Sequence, residues 1–404
     1  MASALLVMSS FSRLANRRNW QMVEEFFNPM GFFDRVVLVC THEPQEVPSE
    51  MGTLLIEVVS CARSRDHYFL NAGHWGYGMA SPLARLVRRL AKEHRVDLLV
   101  QRDGGPLMHG APAVWAAREL GLPSIVTFQA DYRAQRKILY RRMKLLGVRL
   151  LERASYRYVI NHASAFWTVS EHIANGLRQR GVPPHRLFVI PNKDDISAFQ
   201  APTDDEQTDA LWNKIGLADW KIDTPLFLAV GRLIPQKNYS RVFRAMGIVT
   251  RTFPKARLIV VGQGPLATKL TREIARYRLA EHIRIVDQYL SIDELAVLYK
   301  GATAMVFCSL FEGQGQVVYE AMATGTPVIG SNIGPIPEMV KHGKNGLLVD
   351  PKDEGSIAKA MLALAKGDPS RHELSKHCVA TAERYDVSRI DPMEAEIFRK
   401  VLSR

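Results

Sequence analysis

Ser309-Leu310-Phe311-Glu312-Gly313-Gln314-Gly315-Gln316-Val317-Val318-Tyr319-Glu320-Ala321-Met322-Ala323-Thr324-Gly325-Thr326-Pro327-Val328-Ile329 joins two apolar runs through a glycine-bearing loop and a helical pattern. The apolar run before it, Ala304–Phe307, reads as a buried strand, and Pro327–Ile329 at its end reads as the next. Between them a loop with Gly313 and Gly315 opens a helix over about Val317–Ala323. Strand, glycine loop, helix and strand in that order form one unit of a parallel sheet. The N–H groups left without partners at such a helix start favour an anion. Glu312 stands in the loop and Glu320 within the helix. A carboxylate can accept hydrogen bonds from two vicinal sugar hydroxyls. Taken alone, Glu320 also fits a solvated helix position.

Two earlier clusters have the same layout. Val260-Val261-Gly262-Gln263-Gly264-Pro265 joins a strand to a helix from Leu266. Its two glycines let backbone come close to a ligand, but Ala267 stands where a third glycine would complete the dinucleotide fingerprint. Val230-Gly231-Arg232-Leu233-Ile234-Pro235-Gln236-Lys237-Asn238 also follows a strand and leads into a helix near Asn238. Gly231 permits the sharp turn, and Arg232 and Lys237 can converge as an anion site. On their own they also read as two solvated loop charges.

Outward from these clusters, strand and helix patterns alternate along the chain. Strands are expected at Leu5–Met8, Val36–Cys40, Thr53–Val59, Asp97–Gln101, Ser124–Phe128, Ala165–Val169 and Leu187–Ile190, with helices at Pro82–Glu93, Ala111–Leu120 and Ser170–Gln179. The alternation restarts with Leu226–Val230, Arg257–Val261 and Ile283–Val286. This implies two Rossmann-like parallel-sheet domains facing a central cleft, an α/β architecture. Pro202 and the acids Asp204, Asp205, Glu206 and Asp209 mark residues 192–222 as a linker. The domains are then 1–200, 201–380 and a final segment, 381–404, with a helix over Ile390–Leu402.

Composition sets outer limits. The chain has 404 residues, 47% hydrophobic and 23% charged, which is the range of folded globular proteins. No apolar run reaches the roughly 18 residues of a membrane span. The start, Ala2–Met8, reads as a first strand rather than a secretory leader, because Arg13, Arg17 and Arg18 follow the apolar run instead of preceding it. The cysteines, Cys40, Cys61, Cys308 and Cys378, are spaced too widely for a metal knuckle and read as free thiols in a reducing cytoplasm. The net charge is +12, with 26 Lys and Arg against 17 Asp and Glu in residues 1–200. That excess favours anionic partners. No nucleic-acid-binding signature accompanies it. Residues 132–158 hold nine basic residues and one acid, Glu152, with Leu139, Met143, Leu146 and Leu150 on one stripe. Such a helix suits an anionic membrane surface or a core-facing helix with a solvated back.

With these motifs in order, the sequence resembles the retaining glycosyltransferases of the GT-B fold, family four. The resemblance covers about residues 84–404 and is strongest over 226–351. It rests on Gly231-Arg232-Leu233 with Lys237, the Val261-Gly262-Gln263-Gly264-Pro265 turn and the Glu312 to Glu320 stretch. It rests also on Gly325-Thr326-Pro327-Val328-Ile329, Asn345-Gly346-Leu347-Leu348-Val349, Trp167-Thr168-Val169-Ser170-Glu171 and Val189-Ile190-Pro191-Asn192 with Asp195 and Phe199. The resemblance implies that Arg232 and Lys237 grip a donor diphosphate, helped by amides of Gly315, Gln316 and Val317. Glu320 would hold ribose hydroxyls and Glu312 the donor sugar. Gly231, Gly262, Gly264, Pro265 and Gly313 would line the nucleotide site. It implies a nucleotide sugar as cosubstrate, no metal or other cofactor, and a glycan or lipid-linked acceptor. The helix Ile390–Leu402 would return to the first domain, with the protein in the cytoplasm or on its membrane face.

Three departures stand out. Ser9-Ser10-Phe11-Ser12 carries no glycine where the family has a glycine-rich loop, leaving Ser10 as an acceptor-side candidate. Gln129 stands where a histidine is frequent, and Asp131 follows as a candidate base. Gln314 and Gln316 replace apolar neighbours of Gly315. Two rival readings are a nucleotide-sugar epimerase of similar fold and a sugar-nucleotide-binding protein without activity. The first predicts epimerisation of donor alone, the second binding without transfer.

Overall fold

A computed structural model of the protein describes residues 2–8, 26–40, 50–58, 82–102, 110–130, 145–220 and 224–403. Ser10, Asp131 and residues 132–144 of the basic segment 132–158 lie outside the described residues. The chain divides into two units, one made of Met1–Pro191 with Ile390–Arg404 and the other of Asn192–Arg389. The sequence reading placed these divisions at residues 200 and 380.

The first unit holds β1 (Ser3–Met8), β2 (Arg35–Cys40), β3 (Glu50–Met51), β4 (Leu54–Val58), β5 (Leu98–Gln101), β6 (Ser124–Phe128), β7 (Ala165–Thr168) and β8 (Leu187–Val189). They form one sheet in the order β3-β4-β2-β1-β5-β6-β7-β8. Every pair is parallel except the edge pair of β3 with β4. Along β1, Ala4 and Leu6 enter one core while Leu5 and Val7 enter another. Both faces of the strand are therefore buried, and it reads as an unbroken apolar run. The described helices are α1 (Pro82–Glu93), α2 (Ala111–Leu120), α3 (Leu145–His162) and α4 (Glu171–Arg178). Ser170 caps α4 by accepting from the Ile173 N–H.

The second unit holds β9 (Leu226–Val230), β10 (Arg257–Val261), β11 (Ile283–Val286), β12 (Ala304–Phe307), β13 (Val328–Ser331) and β14 (Gly346–Val349). All pairs are parallel, in the order β11-β10-β9-β12-β13-β14. Strand order reverses between β9 and β12, so the crevice outside their carboxyl ends is the expected ligand position for such a sheet. The helices are α5 (Ser197–Gln200), α6 (Asp205–Lys214), α7 (Tyr239–Thr252), α8 (Ala267–Arg276), α9 (Ile292–Gly301), α10 (Gln316–Ala323), α11 (Ile336–Met339), α12 (Glu354–Lys366) and α13 (Arg371–Ala382).

Residues 192–220 are not a linker but part of this unit. Leu211, Trp212, Leu217 and Trp220 are buried in the same core as Leu228 of β9 and Tyr319 of α10. The acids cover the outside of α6, while Trp212 on the helix and Trp220 after it anchor the segment inside. Just within the unit, the chain segments around Asp194 and Asp386 run side by side. The Asp194 N–H donates to Tyr385 O at 3.1 Å and the Val387 N–H to Asp194 O at 3.0 Å. The last helix, α14 (Val387–Leu402), then sends Ile390, Ile397, Phe398 and Val401 into the core of the first unit. Within that unit, Arg102 lies 4.3 Å from the Trp167 ring centroid and 3.9 Å from the Glu394 carboxylate, with both charged side chains buried.

Candidate active site

The site is built from the loops after β9, β10 and β12. Gly231 ends β9 at φ +148°, and a short 3-10 turn, Pro235–Lys237, leads to α7. Gly262 ends β10 at φ +154°, and a Cβ there would lie 2.1 Å from Gly231 O. No other residue fits so close an approach, which explains the glycine better than ligand access does. Leu233 N–H donates to Gln263 O at 2.8 Å, and a Cβ on Gly264 would meet Leu233 O at 2.6 Å. The first two loops are thus packed backbone against backbone.

The loop after β12 is tied to the first loop by four hydrogen bonds and a cation–ring contact. Leu310 N–H donates to Gln236 O at 2.8 Å, and Gln236 Nε2 donates to Phe311 O at 2.9 Å. Asn238 Nδ2 donates to Cys308 O at 3.1 Å. Lys237 Nζ bonds Glu312 Oε1 at 2.8 Å and lies 4.6 Å from the Phe307 ring centroid. Lys237 and Glu312 keep only 13% and 10% of their side-chain exposure, so Lys237 is not a solvated loop charge. Gln236, Asn238 and Phe307 were not among the residues singled out from sequence. The polar pair beside Lys237 was the available signal.

Arg232 is exposed and pairs with no carboxylate among the described residues. Gly315 is the N-terminal cap of α10 at φ +110°, where a Cβ would press on the Phe307 ring at 2.9 Å. It has no side chain to satisfy the helix's first N–H groups, so these remain available to an anion. Gln316 is exposed and Val317 half-buried at that start, whereas Gly313 is buried. Glu320 is 1% exposed and accepts from Tyr299 Oη at 3.1 Å, so the solvated reading fails. Tyr239 Oη donates to Gly231 O at 2.8 Å, and burial, then the Glu312 charge, raises its pKa well above the ordinary phenol value. Gln129, half-buried after β6, belongs to the first unit. Among the described residues no three His, Cys, Asp or Glu side chains group as a metal site.

Chemically, the loops present an ammonium, a guanidinium, a helix start and two carboxylates at the switch point of a parallel sheet. Two Rossmann-like sheet units with this site define a protein of the GT-B class. Family models agree along the chain: glycosyl transferases group 1 match residues 218–378, and a glycosyl transferase 4-like domain matches 29–193. Between them the two models cover most of the chain.

An uncharacterised glycosyltransferase of Methanocaldococcus jannaschii is 34% identical over 177 residues, 44% of this chain and 44% of that one. The GDP-mannose-dependent alpha-(1-6)-phosphatidylinositol monomannoside mannosyltransferase of Mycolicibacterium smegmatis is 27% identical over 296 residues, 72% of each chain. The crystal structure of Anabaena HepE in complex with UDP-glucose is similar at a TM-score of 0.75 and 19% identity, covering 99% of this chain and 100% of that chain. Against the first curated relatives, the chain spans about half their length. No helix among the described residues is long and apolar enough to cross a membrane.

Proposed function

We propose that the protein transfers a hexose or related sugar from a nucleotide sugar to a glycan or lipid-linked acceptor, with retention of anomeric configuration and without a metal ion. The observation that carries this reading is the stitched pair of loops at the β9/β12 switch point, which holds Lys237 and the α10 start together. When the bond between the anomeric carbon and the diphosphate oxygen breaks, negative charge grows on the diphosphate. Fixed cations and N–H donors aimed there lower the barrier. Arg232, Lys237 and the amides from Gly315 to Val317 take that role. Glu312 accepts from the donor sugar and Glu320 from the ribose. An acceptor hydroxyl attacks from the face on which the diphosphate leaves, and a diphosphate oxygen takes its proton.

The relatives support the donor class and the acceptor class. One similar structure was solved with UDP-glucose, and one relative's name gives GDP-mannose as donor and a phosphatidylinositol mannoside as acceptor. A cytoplasmic protein in peripheral contact with anionic membrane through 132–158 belongs to the same reading. Arg153 and Arg157, near the end of that segment, are exposed on α3. Flotation with phosphatidylglycerol vesicles at low salt tests that contact, and absence of co-migration ends it.

The test of the activity is incubation with UDP- and GDP-sugars and a glycolipid extract in EDTA, with the product anomer read by NMR. Transfer with retention is the expected result. Inversion, loss of transfer in EDTA, or epimerised donor without transfer contradicts the reading.

A further inference from the structure

Buried polar atoms without a partner are rare in folded proteins, and each calls for a reason. Two of them fall on the loop between β12 and α10, Ser309 Oγ and Gln314 Nε2. Ser309 is 1% exposed and Gln314 4%. The Gln314 carbonyl, Oε1, accepts the Asn192 backbone N–H at 2.7 Å. That N–H can only donate, so flipping the amide would break the bond, and the orientation of Gln314 is fixed. Asn192 is held from its other side as well, its carbonyl accepting from Tyr319 Oη at 3.3 Å. The Gln314 NH2 group therefore points away from Asn192 and donates to nothing among the described residues.

A buried donor left unmet costs about 1–3 kcal/mol. An apolar side chain of similar size would avoid that cost and fill the same space. The loss sits between Glu312 and the α10 start, the part of the site nearest the transferred group in the proposed reading. Glu312 offers only acceptors and Gln314 offers only donors there. Together they can read a hydroxyl by its hydrogen and its neighbour by its oxygen.

We infer that Gln314 is a specificity-determining residue, its Nε2 donating to a hydroxyl oxygen of the transferred sugar. This rests on the nucleotide-sugar reading above. A site built to hydrogen-bond a substrate hydroxyl discriminates strongly against an analogue that lacks or misplaces it. Gln314 is thus assigned to the choice between epimeric sugars rather than to the grip on the nucleotide.

The experiment compares two pairs of epimeric donors, UDP-glucose with UDP-galactose and GDP-mannose with GDP-glucose. The readouts are kcat/KM for each donor and Kd for UDP and GDP alone. The variants are Gln314→Glu, which keeps an acceptor for Asn192 but loses the NH2 group, and Gln314→Met, which loses both. The expected result is a fall of about tenfold or more in the preference between epimers, with Kd for the bare diphosphate unchanged within about twofold. Should Gln314→Glu fail to fold, judged by its melting curve, Gln314→Met is read the same way. An unchanged epimer preference overturns the inference alone. Equal losses for both epimers and the bare diphosphate also overturn it, because Gln314 then only positions Asn192. A wild-type protein that binds none of these nucleotides overturns the functional reading, and this inference with it.

Discussion

Arg232 and Lys237 share one loop, yet the fold treats them differently. Lys237 is sunk against Phe307 and held by Glu312, while Arg232 stays exposed. The exposed guanidinium is free to reach a diphosphate without breaking a protein contact among the described residues. Arg232→Ala is therefore expected to remove transition-state stabilisation on the order of 3 kcal/mol, by analogy with loss of an oxyanion donor. That is a fall in kcat of roughly a hundredfold. Steady-state kinetics with the preferred donor checks it, and unchanged turnover removes Arg232 from the reaction. Several residue-scale features were legible because they depend on local chain geometry, the sharp turn at Gly231 and the helix opening after Gly315 among them. The Tyr299–Glu320 bond was not, because it joins residues brought together only by packing of α9 on α10. The Gln314–Asn192 bond is hidden from sequence for the same reason.

At the scale of elements, burial decided what the sequence disclosed. β9 and β12 are buried on both faces and stood out as apolar runs. β3 is two residues long and pairs antiparallel at the sheet edge, too short for any period to show. β14 was noticed as a motif, Gly346-Leu347-Leu348-Val349, and not as a strand. The segment 192–220 was misread because polar residues outnumber apolar ones along α6, and only Leu211 and Trp212 are buried there. Their weight is large, since a fully buried tryptophan truncated to alanine costs about 3–5 kcal/mol. Trp212 is 1% exposed, so Trp212→Ala is expected to destabilise the second unit by that amount. Urea unfolding followed by hydrogen exchange in β9 and α10 measures it. A loss below about 1 kcal/mol, far from that range, would mean that 192–220 is the linker it resembles after all.

At the scale of the whole molecule, the chain completes its first unit with its last residues. Ile390, Ile397, Phe398 and Val401 lie in the core with Phe33 and Trp167. Each such burial contributes about 1.5–3 kcal/mol, against a domain stability of roughly 5–15 kcal/mol. Truncation before Ile390 should unfold the first unit or bring it to the edge of unfolding. A truncated protein whose β1 and β5 amides keep full exchange protection would contradict that.

The second unit has its own sensitivity, to alkali. Burial pushes the Cys308 thiol up to about 12, and the Cys378 thiol to about 12, from an ordinary 9.0. Burial likewise pushes the Tyr385 phenol up from 10.0 to about 12. These groups are neutral when protonated, and the folded state keeps their protons longer than the unfolded chain does. Their contribution is complete below pH 9.0 and is lost progressively as pH rises toward about 12. Denaturant midpoints measured from neutral pH upward should hold steady and then fall across that window. A midpoint that rises there would reverse the sign.

The most direct measurement is a crystal structure of the protein soaked with UDP or GDP. The expected result is a pyrophosphate contacted by the Arg232 guanidinium, the Lys237 ammonium and the N–H groups that follow Gly315. Density for the nucleotide elsewhere, or a pyrophosphate that leaves all three untouched, would contradict it.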